Sequence, residues 1–533
     1  LAAADQMTDS PTDNFCTWLP IFKDMHGTTS AGTFSDGNLK YTAAGDDGCV
    51  STFVVDVADS DGWYCEITEG RASVVYTHYG LMSPTIVDNR PYSQSAVLAY
   101  YGHTGQKIIL GTLSAYGDTV ANGDVVSIAI KAGAVWFAKN GTWQNSATEA
   151  EIEAGTTTNA AMTGLTGGYY IVVGKDAGTA PHFIATANFG QSAFAHTVPD
   201  GLKKICTANL SDPTIADPSG SFQTTLYTGD GSTQSIDQGG NSQFSPDLVW
   251  IKNRDAADDH CWFDSVRGAT KLLSSNNTDA ESTDADTLTA FDSDGFSLGD
   301  DDKVNTNTEK YVGWQWLESA TPGFDIITDT GTGSAHTISH SLGVTPEFII
   351  RKDRTATADP GWIIWHTSLP GANYYLNFDT GAQDTSVNYW NNTLPTSSVF
   401  SVGASNGTNQ DTKTFVTYLF AGVEGFSKFG KYTGNAGADG PFIWCGFRPA
   451  VVIIKNTSAE NWAIHDTQRS PYNVVVARLE PSANDAEATN LTVLDFLSNG
   501  FKIRGTDTMW NGDGTGYVFA TWADTPFKTA TAR

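Results

Sequence analysis

Short hydrophobic runs rich in β-branched and aromatic residues recur along the whole chain and predict β-strands. They are bounded nearby by Gly, Pro, Asn or Asp, as at residues 51–57, 248–252, 347–352 and 450–455. Long stretches with the period of about 3.6 residues that marks an amphipathic helix are missing. The hydrophobic pattern therefore predicts an all-β protein.

One hairpin can be placed from the pattern alone. Residues 125–130 and 134–139 are strand-like, and Asn140-Gly141 precedes a further strand-like pair. Asn-Gly is a strong turn signal because both residues accept the positive φ of a tight hairpin turn. The segment is expected to form consecutive antiparallel strands.

Three segments in the second part of the chain share the same landmarks in the same order. A Thr-Gly dipeptide ends the first strand of each, and Gly229, Gly331 and Gly434 are 102 and 103 residues apart. Each segment continues with a proline entering a strand that ends in lysine, a strand ending near Asp or His, a strand marked by Phe, and a closing aromatic strand. This period predicts three copies of one β-sandwich-like domain.

The domain organisation follows from the repeats. Residues 1–205 lack them and are predicted to form one domain with an N-terminal arm, and residues 206–221, rich in Pro, Ser and Asp, a linker. The repeats occupy residues 222–323, 324–425 and 426–533.

The lysine that ends the second strand of each repeat is expected at the rim of its sandwich. There its aliphatic stem would pack while its ammonium group reaches water. The three lysines are Lys252, Lys352 and Lys455.

A series of strand motifs runs through residues 40–200. Gly-Asp opens a hydrophobic strand at residues 123–130, a Trp-Phe-x-x-Asn-Gly strand follows at 135–141, and Asn-Phe-Gly begins residues 188–191. Together with the strands at 62–66 and 79–81, this order resembles the SPRY (B30.2-like) family. The resemblance implies a bent β-sandwich that binds proteins, or in related folds sugars, through loops at one end, without catalysis.

The chain as a whole resembles virion structural proteins of marine tailed bacteriophages. The resemblance rests on residues 8–15, 226–232, 263–271 and 291–299. It implies an exterior appendage of the particle, a tail fibre or a head or neck decoration, and hence an extracellular virion location. The implied partners are other virion proteins and a host-surface glycan or protein, and the implied assembly is a homo-oligomer, with a trimer as the first expectation.

Composition narrows the functional classes. The chain of 533 residues has 59 acidic against 30 basic residues, a formal charge of −29. Nucleic acids and anionic membranes need a basic face, so both are disfavoured as partners. No run approaches the roughly 18 apolar residues of a membrane span. The six cysteines are irregularly spaced without Cys-x-x-Cys and are predicted to be buried free thiols.

Candidate metal chemistry is sparse. His336 and His340 would share one strand face but have no third ligand at a suitable spacing. Three aspartate clusters leave a Ca²⁺ site open, although none fits the spaced loop that ends in a bidentate Glu. They are Asp56/Asp59/Asp61, Asp292/Asp294 and Asp300/Asp301/Asp302. Apart from Ca²⁺, no cofactor and no catalytic residue is predicted.

Aromatic residues in loop-like contexts are the candidate contact residues, because exposed Trp and Tyr stack on sugars and anchor protein interfaces. They are Tyr100, Tyr101, Trp143, Tyr374, Tyr375, Tyr389, Trp390 and Trp510. The prediction is a non-enzymatic virion protein that mediates attachment. The alternatives are a secreted carbohydrate-binding lectin and a glycan depolymerase, which would need two carboxylates about 5–10 Å apart across a cleft.

Overall fold

The computed structural model describes residues 14–22, 32–43, 45, 47–71, 76–84, 97–176, 183–355, 361–378 and 381–530. The chain divides into two compact units, Leu1–Ser211 and Asp212–Arg533, called unit 1 and unit 2 below. Most elements are strands, and the pairings between named strands are antiparallel. The predicted all-β class is confirmed.

The described residues of unit 1 form two antiparallel sheets and one short α-helix, α1 (Glu149–Ala154). Its strands are β1 (Thr33–Ser35), β2 (Lys40–Thr42), β3 (Gly48–Asp56), β4 (Trp63–Arg71), β5 (Tyr76–Met82), β6 (Val97–Tyr101), β7 (Gln106–Ile109), β8 (Thr112–Ala115), β9 (Val125–Lys131), β10 (Ala134–Lys139), β11 (Thr142–Trp143), β12 (Gly168–Asp176) and β13 (Phe183–Asn188). The sheet orders are β1-β2-β13-β4-β9-β10-β11 and β3-β12-β5-β6-β7-β8.

The two sheets of unit 1 pack face to face as a sandwich. Phe137 of β10 stacks on Tyr100 of β6, with ring centroids 5.5 Å apart. Phe183 of β13 lies edge-on to Tyr79 of β5 at 6.1 Å. The predicted hairpin is present, since β10 and β11 pair across the turn at residues 140–141, whose φ values are 48° and 79°.

The three segments predicted as repeats lie in unit 2 and are called copy 1 (222–323), copy 2 (324–425) and copy 3 (426–533). Copy 1 has β14 (Phe222–Thr228), β15 (Gln234–Asp237), β16 (Leu248–Asn253), β17 (Cys261–Asp264), β18 (Lys271–Ser274), β19 (Ser282–Thr283), β20 (Leu288–Asp292), β21 (Gly295–Leu298), α2 (Asp302–Asn305) and β22 (Lys310–Trp316). Copy 2 has β23 (Phe324–Thr330), β24 (His336–Ser339), β25 (Phe348–Asp353), β26 (Trp362–His366), β27 (Tyr374–Tyr375), β28 (Asp384–Thr385), β29 (Val399–Val402), α3 (Asn406–Asn409) and β30 (Thr414–Phe420). Copy 3 has β31 (Ser427–Thr433), β32 (Phe442–Trp444), β33 (Phe447–Asn456), β34 (Trp462–Asp466), β35 (Leu494–Leu497), β36 (Gly500–Ile503), α4 (Thr508–Asn511) and β37 (Gly516–Pro526).

Each copy has an inner sheet, in which four strands follow the same order in all three copies, and a smaller outer sheet of two or three strands. In the inner sheet the closing strand lies between the first two strands, as in β14-β22-β16-β17, β23-β30-β25-β26 and β31-β37-β33-β34. The outer sheets are β15-β21-β20, β24-β29 and β32-β36-β35. The shared order shows that the sequence landmarks mark equivalent strands in the three copies.

The three inner sheets surround one common hydrophobic core. Leu248 and Trp250 of β16 point into a cluster that also contains Phe348 of β25 and Val451 of β33. Val249, on the other face of β16, packs in the separate core of copy 1. Strands buried on both faces read as continuous apolar runs. The repeat period alone does not predict this common core.

Polar contacts join neighbouring copies in a cyclic order. The contacts between copies 1 and 2 form the first seam, those between copies 2 and 3 the second, and those between copies 3 and 1 the third. At the first seam Tyr418 Oη donates to Asp264 at 2.7 Å. At the third seam Trp314 Nε1 donates to the equivalent Asp466 at 3.2 Å. Both acceptors are fully buried.

At the second seam the equivalent strands are joined by different chemical groups. Ala520 occupies the closing-strand position of the two donors and has no polar side chain. His366, the equivalent of the two aspartates, instead contacts the carbonyl oxygen of Phe519 at 3.1 Å. Burial lowers the pKa of His366 to about 4, so the ring is neutral at physiological pH and Nε2–H donates.

Ion pairs reinforce two of the seams. Arg354 donates from Nε and Nη2 to Glu281 at 2.8 and 2.9 Å across the first seam. Arg254 binds Glu487 in the same way across the third seam, at 3.0 and 2.8 Å. At the second seam the main-chain N–H of Gln383 in copy 2 donates to the carbonyl oxygen of Thr457 in copy 3. All three copies are therefore cross-linked pairwise.

A buried asparagine explains the Thr-Gly landmark. Asn305 ends α2, and its Nδ2 donates to Gly299 O at 2.8 Å while its Oδ1 accepts from Asp230 N at 2.9 Å. Asn409 and Asn511 have the same places in copies 2 and 3. A Cβ on Gly229 would lie 2.2 Å from a carbonyl oxygen, and the equivalent glycines of copies 2 and 3 would meet one at 2.1 and 2.4 Å. The turn therefore requires glycine.

Replacing Asn305 by Ala is expected to lower the free energy of unfolding of unit 2 by about 2–3 kcal/mol. The change leaves the carbonyls of Ser232 and Gly299 and the N–H of Asp230 without their buried partner. Chemical denaturation followed by tryptophan fluorescence measures the loss, since 11 of the 15 tryptophans lie in unit 2. Asn307→Ala, at an exposed asparagine two residues on, should stay within about 0.5 kcal/mol. Equal losses in the two variants would contradict the role of Asn305.

The expectation that the repeat lysines reach water is wrong. Lys252, Lys352 and Lys455 are all 0% exposed, because each strand is covered on both faces. Their ammonium groups donate to main-chain carbonyls, as Lys352 Nζ does to Thr278 O at 3.0 Å. Burial lowers the pKa of Lys252 and of Lys352 to about 8.

All six cysteines are buried free thiols, as predicted. Burial raises the pKa of Cys16 and of Cys445 to about 12, which keeps these thiols protonated. Across the described ranges, no helix has the length and apolar character needed to cross a membrane.

Candidate functional site

A groove of about 390 Å³ lies on the third seam. Its copy 1 side is formed by residues 222–226 of β14 together with Asp237. Its copy 3 side includes Ala450, Thr467 and Asp524. The groove is the candidate functional site, because a concave surface of this size is where small ligands bind.

Chain connectivity is one reason why the groove is open. Copies 1 and 2 are consecutive, and their connecting segment crosses the first seam. There Glu318 N donates to Asp247 at 2.7 Å and Ile326 N donates to Glu318 at 3.0 Å. The second seam is likewise crossed by the link between copies 2 and 3, where Val423 and Ser427 pair. Copies 3 and 1 are not consecutive, so no segment links them across the third seam; the segment before copy 1 contacts β37 there through residues 218–220, and its Ser219 lines the groove.

The residue after the strand proline that the three copies share is a second reason. Copies 1 and 2 have acids there, Asp247 and Glu347, and copy 3 has Ala450. Asp247 fills the first seam by accepting the hydrogen bond from the connecting segment. The carboxylate of Glu347 lies against Gly422 at the second seam, where an added Cβ would meet it at 2.6 Å. The methyl group of Ala450 leaves that volume empty at the third seam.

The first strand of each copy supplies a third reason. Ile326 and Phe429 occupy equivalent positions at the closed seams and belong to the common core. Thr224 is the corresponding residue of copy 1 and lines the groove. Its Oγ1 is buried and has no hydrogen-bond partner among the described residues. The third seam thus has a smaller, polar residue where the other two seams have larger apolar side chains.

The polar groups around the groove are held in place by their neighbours. Gln223 Nε2 donates to Ser219 O at 2.8 Å and to Ser242 O at 2.7 Å. Asp524 accepts from Arg448 Nη1 at 2.7 Å. The side chains lining the groove include hydroxyls, amides and two carboxylates but no Lys, Arg or His. A lining of fixed polar groups and two carboxylates, without a cation, suits neutral polar ligands rather than anions.

An acidic cluster at the first seam makes stability depend on pH. Burial, followed by the neighbouring carboxyls of Asp325 and Asp247, raises the pKa of Glu318 to about 7. An exposed glutamate titrates near 4.3, so folding takes up a proton between these two values. The stabilising effect of this proton is present at low pH and is lost as the pH rises through about 7.

We expect the thermal midpoint of the full chain to fall by about 1–3 °C more between pH 6 and pH 8 than that of Glu318→Gln, which cannot ionise. Differential scanning calorimetry at both pH values measures the difference. Glu424→Gln, at an exposed glutamate, should behave like the wild type. The same pH dependence in wild type and Glu318→Gln would contradict the assignment.

Four of the eight predicted contact aromatics are buried core residues, which corrects the expectation that they are exposed contact residues. Tyr100 and Tyr101 belong to β6 and are buried by strand pairing. Trp390 and Trp510 are each 2% exposed. Trp390 packs in the outer core of copy 2 and Trp510 in the common core.

The other four predicted aromatics are half-buried. Trp143 packs against a hydrophobic cluster of unit 1, and Tyr374 against the common core of unit 2. Tyr375 and Tyr389 meet edge to face at 4.6 Å. Both pack against the outer core of copy 2 that contains Trp390, and none of the eight lines the groove. A binding role for these four remains a prediction.

The predicted acidic clusters have structural partners. Asp59 accepts from Lys203 Nζ at 2.6 Å, Asp292 from Ser297 Oγ at 2.6 Å, and Asp301 caps α2. No group of three or more potential metal ligands is found within the described part of the chain. His336 hydrogen-bonds in the turn at residues 332–334.

Comparison with known proteins gives one family. The family model described as Domain of unknown function (DUF7483) matches residues 217–526. No curated protein matches the chain. Among solved structures, the SPRY domain of human HERC1 is 15% identical, with a TM-score of 0.24, and the match covers 32% of this chain and 96% of that domain. A further human SPRY domain is 15% identical at a TM-score of 0.23, covering 31% of this chain and 96% of its own.

Proposed function

Since the chain belongs to the family Domain of unknown function (DUF7483), whose description assigns no activity, we propose a function from its own residues: it is a non-enzymatic structural protein of a tailed-phage virion. It forms an exterior appendage, a tail fibre or a head or neck decoration. It attaches the particle to a host-surface glycan or protein, or holds other virion proteins. The groove at the third seam, on a scaffold closed by one core, is the observation that carries this binding role.

The build of unit 2 supports a mechanical role. An appendage has to keep its shape while it presents a binding surface. The common core is shared by all three copies, and ion pairs or hydrogen bonds link each neighbouring pair. One copy therefore cannot unfold without exposing the inner faces of the other two.

The placement of the titratable groups supports a non-enzymatic role. Perturbed pKa values in a cleft often mark catalytic sites. Here the groups with strongly shifted pKa values include Lys352 and His366, which are buried and contact main-chain carbonyls of the neighbouring copy. Neither lines the groove.

The test of this function is the location of the chain. Mass spectrometry of gradient-purified particles should detect it at a fixed stoichiometry, and immunogold labelling should place it on the outside. Light scattering of the purified chain should give a homo-oligomer, with a trimer as the first expectation. Absence from purified particles would overturn the virion role, and a monomer at micromolar concentration would overturn the oligomer.

A secreted lectin is the second candidate, and the polar lining of the groove favours it. In that case the chain would be recovered from the culture medium and not from particles. Saccharide binding alone does not separate the two candidates, so the location experiment decides between them.

A further inference from the structure

We propose that the groove at the third seam binds a neutral, polyhydroxylated ligand the size of a short saccharide. The inference rests on the proposed binding function and names the chemistry of its ligand. The volume of about 390 Å³ lies at the small end of ligand sites, which span roughly 300–1,000 Å³. A molecule of one or two sugar rings fits such a space.

The polar lining matches hydroxyl groups. Sugar hydroxyls both donate and accept, so they pair with amides, hydroxyls and carboxylates. Gln468 and Thr467 supply amide and hydroxyl groups from copy 3, and Asp237 and Asp524 supply acceptors from the two sides. Asp524 is held by Arg448 at 2.7 Å, which orients its carboxylate before a ligand arrives.

Exposed groups of the lining are the ones a ligand can reach. Gln468 and Asp237 are exposed, so their amide and carboxylate groups can pair with sugar hydroxyls. Leu226, 38% exposed, supplies apolar contact area for the C–H face of a sugar ring.

The charge of the lining disfavours anionic ligands. The lining has two carboxylates and no basic side chain, and the whole chain carries −29. Phosphorylated and acidic ligands would be repelled, since like charges without a paired cation are unfavourable in a partly desolvated site. One of the two carboxylates, Asp524, is already neutralised by Arg448, which makes a bound cation unnecessary.

The experiment uses the full chain and a panel of neutral mono- and disaccharides, with phosphate and sialic acid as anionic probes. Saturation-transfer NMR and calorimetry should detect at least one neutral sugar and neither anion. Gln468→Ala removes an exposed amide of the lining and should weaken binding roughly five- to tenfold. Ala450→Glu restores the acid present in the other copies and should abolish binding, while Ala335→Glu, at an exposed position of copy 2, should not.

Each outcome of these experiments either supports the inference or overturns it. Binding of no neutral sugar, preference for an anion, or unchanged affinity in both Gln468→Ala and Ala450→Glu would overturn the inference. Thermal denaturation of each variant shows whether it is folded, and Gln468→Ala tests the groove even if Ala450→Glu unfolds. A chain found in virions that binds no saccharide would overturn this inference and leave the proposed function standing. A chain that binds saccharide but is absent from virions would support this inference and overturn the proposed virion function.

Discussion

Arg267→Ala should lower the free energy of unfolding of unit 2 by about 3–5 kcal/mol, the cost of leaving buried charges without their partner. The guanidinium group of Arg267 is 0% exposed and pairs with both Asp264 and Glu281. It also donates to the main-chain carbonyl of Trp262 at 3.1 Å. Loss of Arg267 leaves the buried Asp264 carboxylate without its cation. The same carboxylate accepts a hydrogen bond from Tyr418 of copy 2. The damage should therefore spread across the first seam.

Chemical denaturation of the full chain measures this loss, and two variants isolate its cause. Arg504→Ala removes an arginine whose side chain is 39% exposed and whose ion pairs are solvated, so it should cost less than about 1 kcal/mol. The double change Asp264→Asn with Arg267→Met removes both charges and should cost less than Arg267→Ala alone. A single variant no worse than Arg504→Ala would contradict the buried ion pair.

Trp522→Ala should be the most damaging change in the common core, at about 3–5 kcal/mol. The indole ring lies within 5.3–6.0 Å of Phe222 and Trp316 of copy 1, Phe420 of copy 2 and Phe429 of copy 3. It therefore contacts all three copies at once. A cavity at this point removes contacts from each inner sheet.

Near-UV circular dichroism and denaturation measure this effect, and the shared core predicts one cooperative transition for unit 2. Tyr472→Ala, at a residue 80% exposed, should leave the stability within about 0.5 kcal/mol. Trp522→Phe should recover part of the loss, because it keeps an aromatic ring in the same place. Stepwise unfolding of the three copies would contradict a common core.

The all-β class and the equivalence of the three copies could be predicted because they depend on local chemistry. The turn after each first strand needs glycine since a Cβ on Gly229 would collide with a carbonyl oxygen. A requirement of this kind leaves a mark at a fixed position in every copy. The hairpin at residues 140–141 was predictable for a similar reason, since its backbone needs positive φ.

The common core and the groove could not be predicted in the same way. Leu248, Trp250 and Lys252 share one face of β16. The sequence of this strand does not show whether that face is exposed to water or covered by another copy. The lysine was therefore expected at a rim. Groove residues such as Thr224 and Ala450 lie far apart in the sequence, so spacing carries no signal. Their difference from the equivalent residues of the other copies was the one available sign.

Three copies joined in a closed ring are a covalent counterpart of a head-to-tail homotrimer. Each copy carries both halves of a seam, the buried Asp or His and the closing strand that reaches the preceding copy. In a homotrimer, any substitution appears at every interface, so opening one pocket opens all three and weakens the whole ring. Fusion into one chain removes that constraint. Ala450 can open a groove at one interface while Asp247 and Glu347 keep the others shut, so one interface can differ from the other two.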